Sequence, residues 1–559
     1  MKKLCWGLTL TALVLSLAAC QTQPAESAAE SGGDTNSSAM TTSAESDAAS
    51  VETTADSKTG DTRTTKSRSG GAATTRHTVE TTAKTTSGQV TDVTQFIRKE
   101  KGLSIADYKK QLASFKLSDP LNKKVYTEAE KEAQRKAASK LRSRLNVAIA
   151  AETANFKVGA GVYRFAGQIP FELSGVQNMY IDLSGCTFIL EGTQQFILGR
   201  GCKNVIFQGP ATIDREGSLA TQFTVTEYNE SQRTLTVKLM EGYSLCSKAL
   251  GGGTLQWFNP DGSMIQMAFI PFSGAGYVNE ANGIVKFEGV ACNRDMSNEK
   301  VLKAGQIGSV AITGGMALNV GLYSCTDIQL LDITNYGAGM MMHTGDSNGA
   351  LTLKRVYNVR MPGTNRLVAG SAGQLEFTAG TPTVEDCIFG FCEDDSIDIM
   401  GHVGFLYKQE NSRTVIIKGT STALYARKGE MLSFFDGKDY TRRVTAKAVK
   451  AEEITDSSFN AAVRTDMIKN YNFYDSLTTQ NCVRVTLDRD VTLKTGDMVE
   501  NMDACRPINA VLRGNYFHDM GCRVLIQGCK GLLFENNVIE RSGLAALCID
   551  CEQRDWGEG

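Results

Sequence analysis

Apolar residues in this chain fall in short runs of alternating parity, cut by Gly, Asn and Asp. Near the C-terminus the runs repeat. Leu512-Arg513-Gly514-Asn515-Tyr516-Phe517 precedes Phe534-Glu535-Asn536-Asn537-Val538-Ile539 by 22 residues, and the same step relates Gly521 to Gly543 and Leu525 to Leu547. It also relates Leu375 to Ile397 and Phe377 to Ile399. A short period of strand-like runs and turns is the mark of a stacked solenoid, in which each repeat buries its apolar face only against its neighbours. Such coils begin near Gly161-Val162-Tyr163-Arg164-Phe165 and continue through Asn178-Met179-Tyr180-Ile181-Asp182-Leu183 and Asn204-Val205-Ile206-Phe207.

The period fails twice. Between about 215 and 310, and again between about 405 and 508, longer alternating runs such as Thr234-Leu235-Thr236-Val237-Lys238-Leu239 and Val483-Arg484-Val485-Thr486-Leu487 predict inserted antiparallel β-modules. Coils return at Ala510 and stop at Gly559 with no capping segment, which predicts a truncated chain or a far end covered by something else. Before the coils, residues 91 to 125 are hard to read. Thr127-Glu128-Ala129-Glu130 then has the form of a capping box, and Ala137, Leu141, Leu145 and Ala148 or Ile149 make one apolar stripe of a helix running to about Ala154. Its expected task is to cover the open first coil.

The first 90 residues are of another kind. Lys2 and Lys3 precede a short apolar stretch from Leu8 to Ala19, and Leu17-Ala18-Ala19-Cys20 has the form of a bacterial lipoprotein cleavage box. Residues 1–20 are therefore expected to be a signal peptide, with Cys20 the lipidated first residue of the mature chain. Residues 21–90 are Ser, Thr, Ala, Gly, Asp and Glu with almost no large apolar side chain, the composition of a disordered tether. The expected location is extracytoplasmic, with membrane contact only through the lipid.

Charge and cysteine content narrow the function. The 559 residues carry 59 basic and 61 acidic groups, so no global field points to nucleic acid. Of 15 cysteines, 13 remain after Cys5 and Cys20 are set aside, an odd number that cannot all pair. Cys202, Cys325 and Cys529 each follow a small residue and precede an apolar run, as stacked buried thiols would. No zinc spacing, phosphate-cradling loop or nucleophile elbow is visible. His343, after three methionines, is able to face the outer surface, and His402 and His518 show no metal spacing.

The densest acidic cluster is Glu393-Asp394-Asp395-Ser396-Ile397-Asp398-Ile399. Ile397 and Ile399 share a parity and should point inward, which turns Ser396 and Asp398 outward. The 22-residue step sets Gly373 beside Asp395 and Glu376 beside Asp398. If the second insertion only interrupts the stack, Leu525 matches Ile397 and Arg523 follows Asp395 one coil later. Coils about 4.8 Å apart would crowd these carboxylates so that they shift one another's pKa, with the Arg restoring one ionised form. The bland alternative is that turn Asp residues bond their own backbone and outward ones are merely solvated.

The ordered set Ser324-Cys325-Thr326-Asp327-Ile328, Pro362-Gly363-Thr364-Asn365-Arg366, Val384-Glu385-Asp386-Cys387, Asp394-Asp395-Ser396-Ile397-Asp398-Ile399, Gly514-Asn515-Tyr516-Phe517, Glu535-Asn536-Asn537 and Trp556-Gly557-Glu558-Gly559 resembles glycoside hydrolase family 110 over roughly 155 to 559. The resemblance implies an all-β fold: a right-handed parallel β-helix with two inserted β-barrel-like modules, here preceded by the capping α-helix. It implies an exo-acting, inverting α-galactosidase, notably α-1,3, that takes a terminal α-linked galactose from a glycan and needs no cofactor or metal. Asp394 and Asp395 match the family's paired active-site aspartates. Arg366 and Arg523 become candidates for binding sugar hydroxyls, Trp556 for stacking on a sugar face, and Glu558 for a further acid.

Three positions depart from that pattern. Gly373 stands where the family has an Asp, Glu376 where it has a His, and Asp398 where it has an Asn. One carboxylate is lost and two are gained nearby, so Glu376 or Asp398 becomes the candidate base. Two other functions remain open on the residues alone: a polysaccharide lyase with Asp394, Asp395 and Asp398 holding Ca²⁺, and a catalytically inactive glycan-binding surface protein.

Overall fold

The structure, a computed structural model, describes residues 92–217, 220–265, 270–290, 301–311, 318–337, 341–345, 349–370, 373–419, 425–471, 481–503 and 507–550. The expected signal peptide, Cys20, the tether, Trp556 and Glu558 lie outside them. Among the described residues no helix is long and apolar enough to cross a membrane.

The chain is mostly β and its backbone is organised by parallel pairing. Three ladders run side by side. One holds Gln177–Asp182, Ala350–Lys354, Thr381–Glu385, Ile508–Arg513 and Lys530–Glu535; the second holds Gly161–Ala166, Cys186–Glu191, Ile388–Cys392, Tyr516–Met520 and Val538–Ser542. The long strands Lys203–Asp214 and Thr326–Asn335 belong to both and join them into one 14-stranded sheet. The third ladder is a separate 8-stranded sheet that includes Val320–Tyr323, Met342–Gly345, Leu375–Phe377, Ile397–Ile399, Val524–Gln527 and Leu547–Asp550. Each repeat contributes one strand to each ladder in turn.

The alternation of the sequence places the core. Inward residues such as Val205, Ile328, Leu351, Val384 and Leu512 are almost wholly buried, and one cluster runs from Leu141 to Ile526. Rings stack within it: Phe188 meets Tyr163 at 5.7 Å and Phe196 at 4.9 Å, and Phe389 lies over Phe517 at 6.0 Å. The corner between the first two ladders is made by left-handed residues, Arg355, Asp386, Gly514 and Asn536. At Gly514 (φ 67°) a Cβ would lie 2.8 Å from Asp386 Oδ1, so a larger residue there would have to displace that carboxylate. Asparagines stitch this corner: buried Asn515 donates to the Val384 carbonyl at 2.8 Å and accepts from Cys387 N–H at 3.0 Å, and half-buried Asn537 donates to the Leu512 carbonyl at 2.8 Å. A backbone corner closed to water needs such partners.

The 22-residue step holds between Leu512 and Phe534, Tyr516 and Val538, and Leu375 and Ile397. It does not hold for Leu525. Val524, not Leu525, pairs with both Ile397 and Leu547. The corner between Tyr516 and Val524 contains one residue fewer than the corner between Val538 and Leu547, and turn length is invisible to a period counted on apolar residues.

The helix Glu128–Ala150 has the predicted capping box, with Thr127 accepting from Glu130 N–H and Glu130 accepting from Thr127 N–H. It buries Ala138, Leu141, Leu145 and Ala148 against the first repeat, beside Phe156, Val158 and Phe165. Leu141, Leu145 and Ala148 are the expected stripe; only its first member differs, Ala138 being buried where Ala137 was expected and Ala137 partly buried. The segment ahead of it is a brace. Phe96 packs on Tyr180, and Tyr108 of the helix Ile105–Ala113 reaches Tyr516 and His518, many repeats away.

Both breaks are inserted modules. The first, from Ala220 to Ala311, is a seven-stranded antiparallel sheet with its own core around Trp257, Phe223 and Phe287. The second, from Val403 to Asn501, is a closed six-stranded barrel with the helix Ser457–Tyr471 packed beside it. Because the main stack is held by ring-against-ring packing, Phe188→Ala is expected to lower the unfolding free energy by about 3–5 kcal/mol, read from urea denaturation.

Candidate functional site

The outward positions of the 8-stranded sheet form one column in strict register: Glu172, Leu198, Gly321, His343, Glu376, Asp398, Leu525 and Cys548. Three successive members are ionisable. The predicted neighbourhood of Glu376 and Asp398 is therefore present, and His343 joins it. His343 Nδ1 lies 2.8 Å from Glu376 Oε1. His343 also tilts against the Tyr323 ring at 5.8 Å.

Asp395 sits at the corner just before this column. Its carbonyl accepts Gln374 N–H at 3.0 Å, which sets it beside Gly373 as expected. A Cβ on Gly373 would meet only the Asp395 carbonyl, at 3.4 Å. The short corner described above decides how Arg523 meets Asp395. Arg523 N–H donates to Asp395 Oδ1 at 2.9 Å, while its guanidinium Nε stands 3.6 Å from the same oxygen. The hydrogen bond is thus made by the backbone, and the guanidinium supplies charge. The carbonyl of Asp394 accepts from Cys522 N–H and from the Cys392 thiol, both at 3.3 Å.

These groups are recessed rather than spread on an open wall: the side chains of Asp395, Arg523 and Glu376 are 13%, 17% and 19% exposed. The recess pushes the two carboxylates apart. Burial, then the charges of Asp394 and Asp398, raise the Asp395 pKa well above the usual carboxylate range, against the opposing pull of Arg523 and its N–H. Burial acts in the same direction on Glu376, but His343 and its hydrogen bond outweigh it, and Glu376 is held below its ordinary value. Burial drives His402 down to about 4, so its imidazole is neutral. His402 follows the strand Ile397–Ile399 and precedes the barrel strand Val403–Gln409, and its carbonyl accepts from Tyr425 OH at 3.0 Å, tying the inserted barrel to this corner. Two carboxyls whose proton affinities are driven in opposite directions are the arrangement acid–base chemistry uses.

Arg366 is elsewhere. Its guanidinium is buried against Asp214, at 2.6 Å, and donates also to Tyr336 and Leu121 carbonyls and to Asn122. Its planar fork of donors is spent fastening the N-terminal segment to the start of the first insertion, so it does not reach a sugar as expected. His343 and His402 are the residues sequence reasoning passed over. The strand parity shared by His343 with Glu376 was the available signal; nothing local marks His402.

As to metals, ligand atoms of Asp394, Asp395 and Cys522 lie within 4.8 Å of one another. Two hard oxygens and a thiol match Ca²⁺ poorly. Burial, then Asp394 and Asp395, hold the Cys522 thiol well above its usual range, so a cation there would have to displace protons next to the Arg523 charge. His518, with no metal spacing in sequence, is wholly buried between Asp519, at 2.7 Å, and Tyr108 OH, at 3.2 Å.

Arg366→Ala is expected to cost about 3–5 kcal/mol of stability, since it leaves Asp214 charged and buried, with thermal unfolding as the readout. The depressed His402 gives a pH signature. An imidazole held neutral in the fold contributes stability present above its unfolded pKa near 6.5 and lost as pH falls toward about 4. Stability should therefore decline between pH 6.5 and 4, and less steeply in His402→Gln, as measured by denaturant midpoints across that window. No protein-family model matches the chain, and no curated protein does.

Proposed function

We propose that this protein is a surface-anchored, exo-acting glycosidase that removes terminal α-linked galactose from glycans with inversion, Asp395 acting as general acid and Glu376 as general base. One observation carries the reading: on adjacent repeats, at the corner and on the strand that follows it, the proton affinity of Asp395 is pushed up by burial and the charges of Asp394 and Asp398, while that of Glu376 is pulled down by His343. The backbone path between them, one strand spacing and about three residue steps, spans on the order of 10 Å, which leaves room for a sugar and an attacking water. In this reading Asp398 and Asp394 keep the proton on Asp395 until it passes to the leaving oxygen, and His343 keeps Glu376 ready to take a proton from water. Arg523 binds a ring hydroxyl and stabilises Asp395 once it is ionised.

The wider architecture supports the same family resemblance. Three parallel ladders visited in turn are what a right-handed parallel β-helix contains, and two antiparallel modules interrupt it where that resemblance places them. Glu376 takes over the role of the carboxylate missing at Gly373. Export and lipidation at Cys20 would set the site outside the cytoplasm, where glycans are met.

The test is incubation of the protein with a panel of α-galactosides followed by NMR. Free galactose should appear first as the β-anomer. Asp395→Asn and Glu376→Gln should each lower kcat/KM by about 10²–10⁴-fold. His343→Gln leaves burial unopposed at Glu376, so the acid limb of the pH profile should move to higher pH. Absence of galactose release across the panel, or unchanged release in Asp394→Asn and Asp395→Asn alike, sinks the proposal.

A further inference from the structure

The first insertion leaves the stack after the strand Lys203–Asp214 and returns to it at Val320–Tyr323. Two cysteines bracket that detour. Cys202 immediately precedes the strand Lys203–Asp214, and Cys325 immediately precedes its counterpart Thr326–Asn335, two residues after the returning strand ends. They occupy the same place in consecutive repeats: Thr326 N–H donates to the Cys202 carbonyl at 2.9 Å, Gly201 N–H donates to the Tyr323 carbonyl at 2.9 Å, and Lys203 pairs with Thr326. Both side chains point into the core, 3% and 0% exposed. Both are reduced thiols in this structure, Cys202 Sγ donating to the Arg200 carbonyl at 3.6 Å and Cys325 Sγ to the Tyr323 carbonyl at 3.4 Å. Gly199 makes room for them: a Cβ there would lie 3.2 Å from the Cys325 sulfur and 4.0 Å from the Cys202 sulfur. Equivalent positions on paired strands are about 4.8 Å apart, inside the Cα separation of roughly 4.4–6.8 Å that a disulfide spans.

We propose that Cys202 and Cys325 are a cross-linking site, closing into a disulfide that staples the repeat before the first insertion to the repeat after it. The export signal read in the sequence would deliver the chain to a compartment where such bonds persist. The chemistry is thiol–disulfide exchange. The Cys202 thiolate attacks one sulfur of an oxidant disulfide, either glutathione disulfide or a dithiol oxidoreductase, and releases one oxidant thiol. Cys325, deprotonated, then attacks the Cys202 sulfur and releases the second. Two electrons pass from the cysteine sulfurs to the oxidant, and the two thiol protons end on the oxidant's thiols. The bond forms while the chain folds, before the core closes over both sulfurs. It closes a loop that contains the entire inserted sheet, the kind of long loop whose closure entropy a cross-link removes from the unfolded state. This inference does not depend on the glycosidase reading.

The test is peptide mapping of the full-length protein from an oxidising compartment, denatured and alkylated before any reduction. The expected result is a peptide joining Cys202 to Cys325, absent after reduction. Reduction should lower the thermal midpoint of the wild-type protein and leave a Cys202→Ser/Cys325→Ser double variant unmoved. Recovery of both cysteines as alkylated thiols, in that protein and again after refolding of the reduced chain with glutathione disulfide, overturns the proposal. So does either cysteine joined to a different partner. Mapping is done on the wild-type chain, so it stands even if the double variant fails to fold.

Discussion

In-register parallel pairing of successive repeats is the constraint on which everything else depends. Each rung's backbone bonds to the rung before and after it, so a side chain at one position has the same position of its neighbours about 4.8 Å away on either side. The stack therefore sorts residues by column. Inward columns must be apolar, and they are. Outward columns must avoid stacking like charges, and one does so by alternation: Lys354, Glu385, Arg513 and Glu535 stand in register with opposite signs adjacent. The column through His343, Glu376 and Asp398 breaks the rule, with two carboxylates in direct register. A fold that manages its charges elsewhere and concentrates like charges here is accepting local strain, and such places are where perturbed proton affinities arise.

What surrounds that column explains why the crowding is tolerated. His343 compensates Glu376 on one side, and Arg523 compensates Asp395 on the other. The barrel inserted after His402 starts at the edge of the same corner and is tied to it by Tyr425 OH, which donates to the His402 carbonyl. The N-terminal brace and Arg366 hold the first insertion and the loop before Leu375 together from behind, through Asp214, Leu121 and Asn122. Stability and the proposed chemistry thus draw on different residues: the arginine expected to bind sugar is buried against Asp214, Leu121 and Asn122, and His343 is the group that lowers the proton affinity of Glu376.

The period, the parity of Ile397 and Ile399, the positions of both insertions and the capping box were all legible in the chain, because each is a local pattern of apolar spacing or turn chemistry. The pairing of Glu376 with Asp398 followed from them directly. The pairing of Arg523 did not. A corner one residue short shifts Val524 into the place expected of Leu525, and the same shift brings Arg523 N–H onto Asp395. Apolar counting carries no information on how many polar residues a corner holds.

The amino-acid sequence alone determined that this chain stacks short strands, interrupts the stack twice, and gathers acids on one outer column, since strand alternation and turn residues act within a few positions. Only the tertiary structure decided in which direction the proton affinity of each acid there is moved. That depends on burial and on groups brought in from distant parts of the chain, His343 and Arg523 among them, and the free energy of a charge is set by what lies beside it in space.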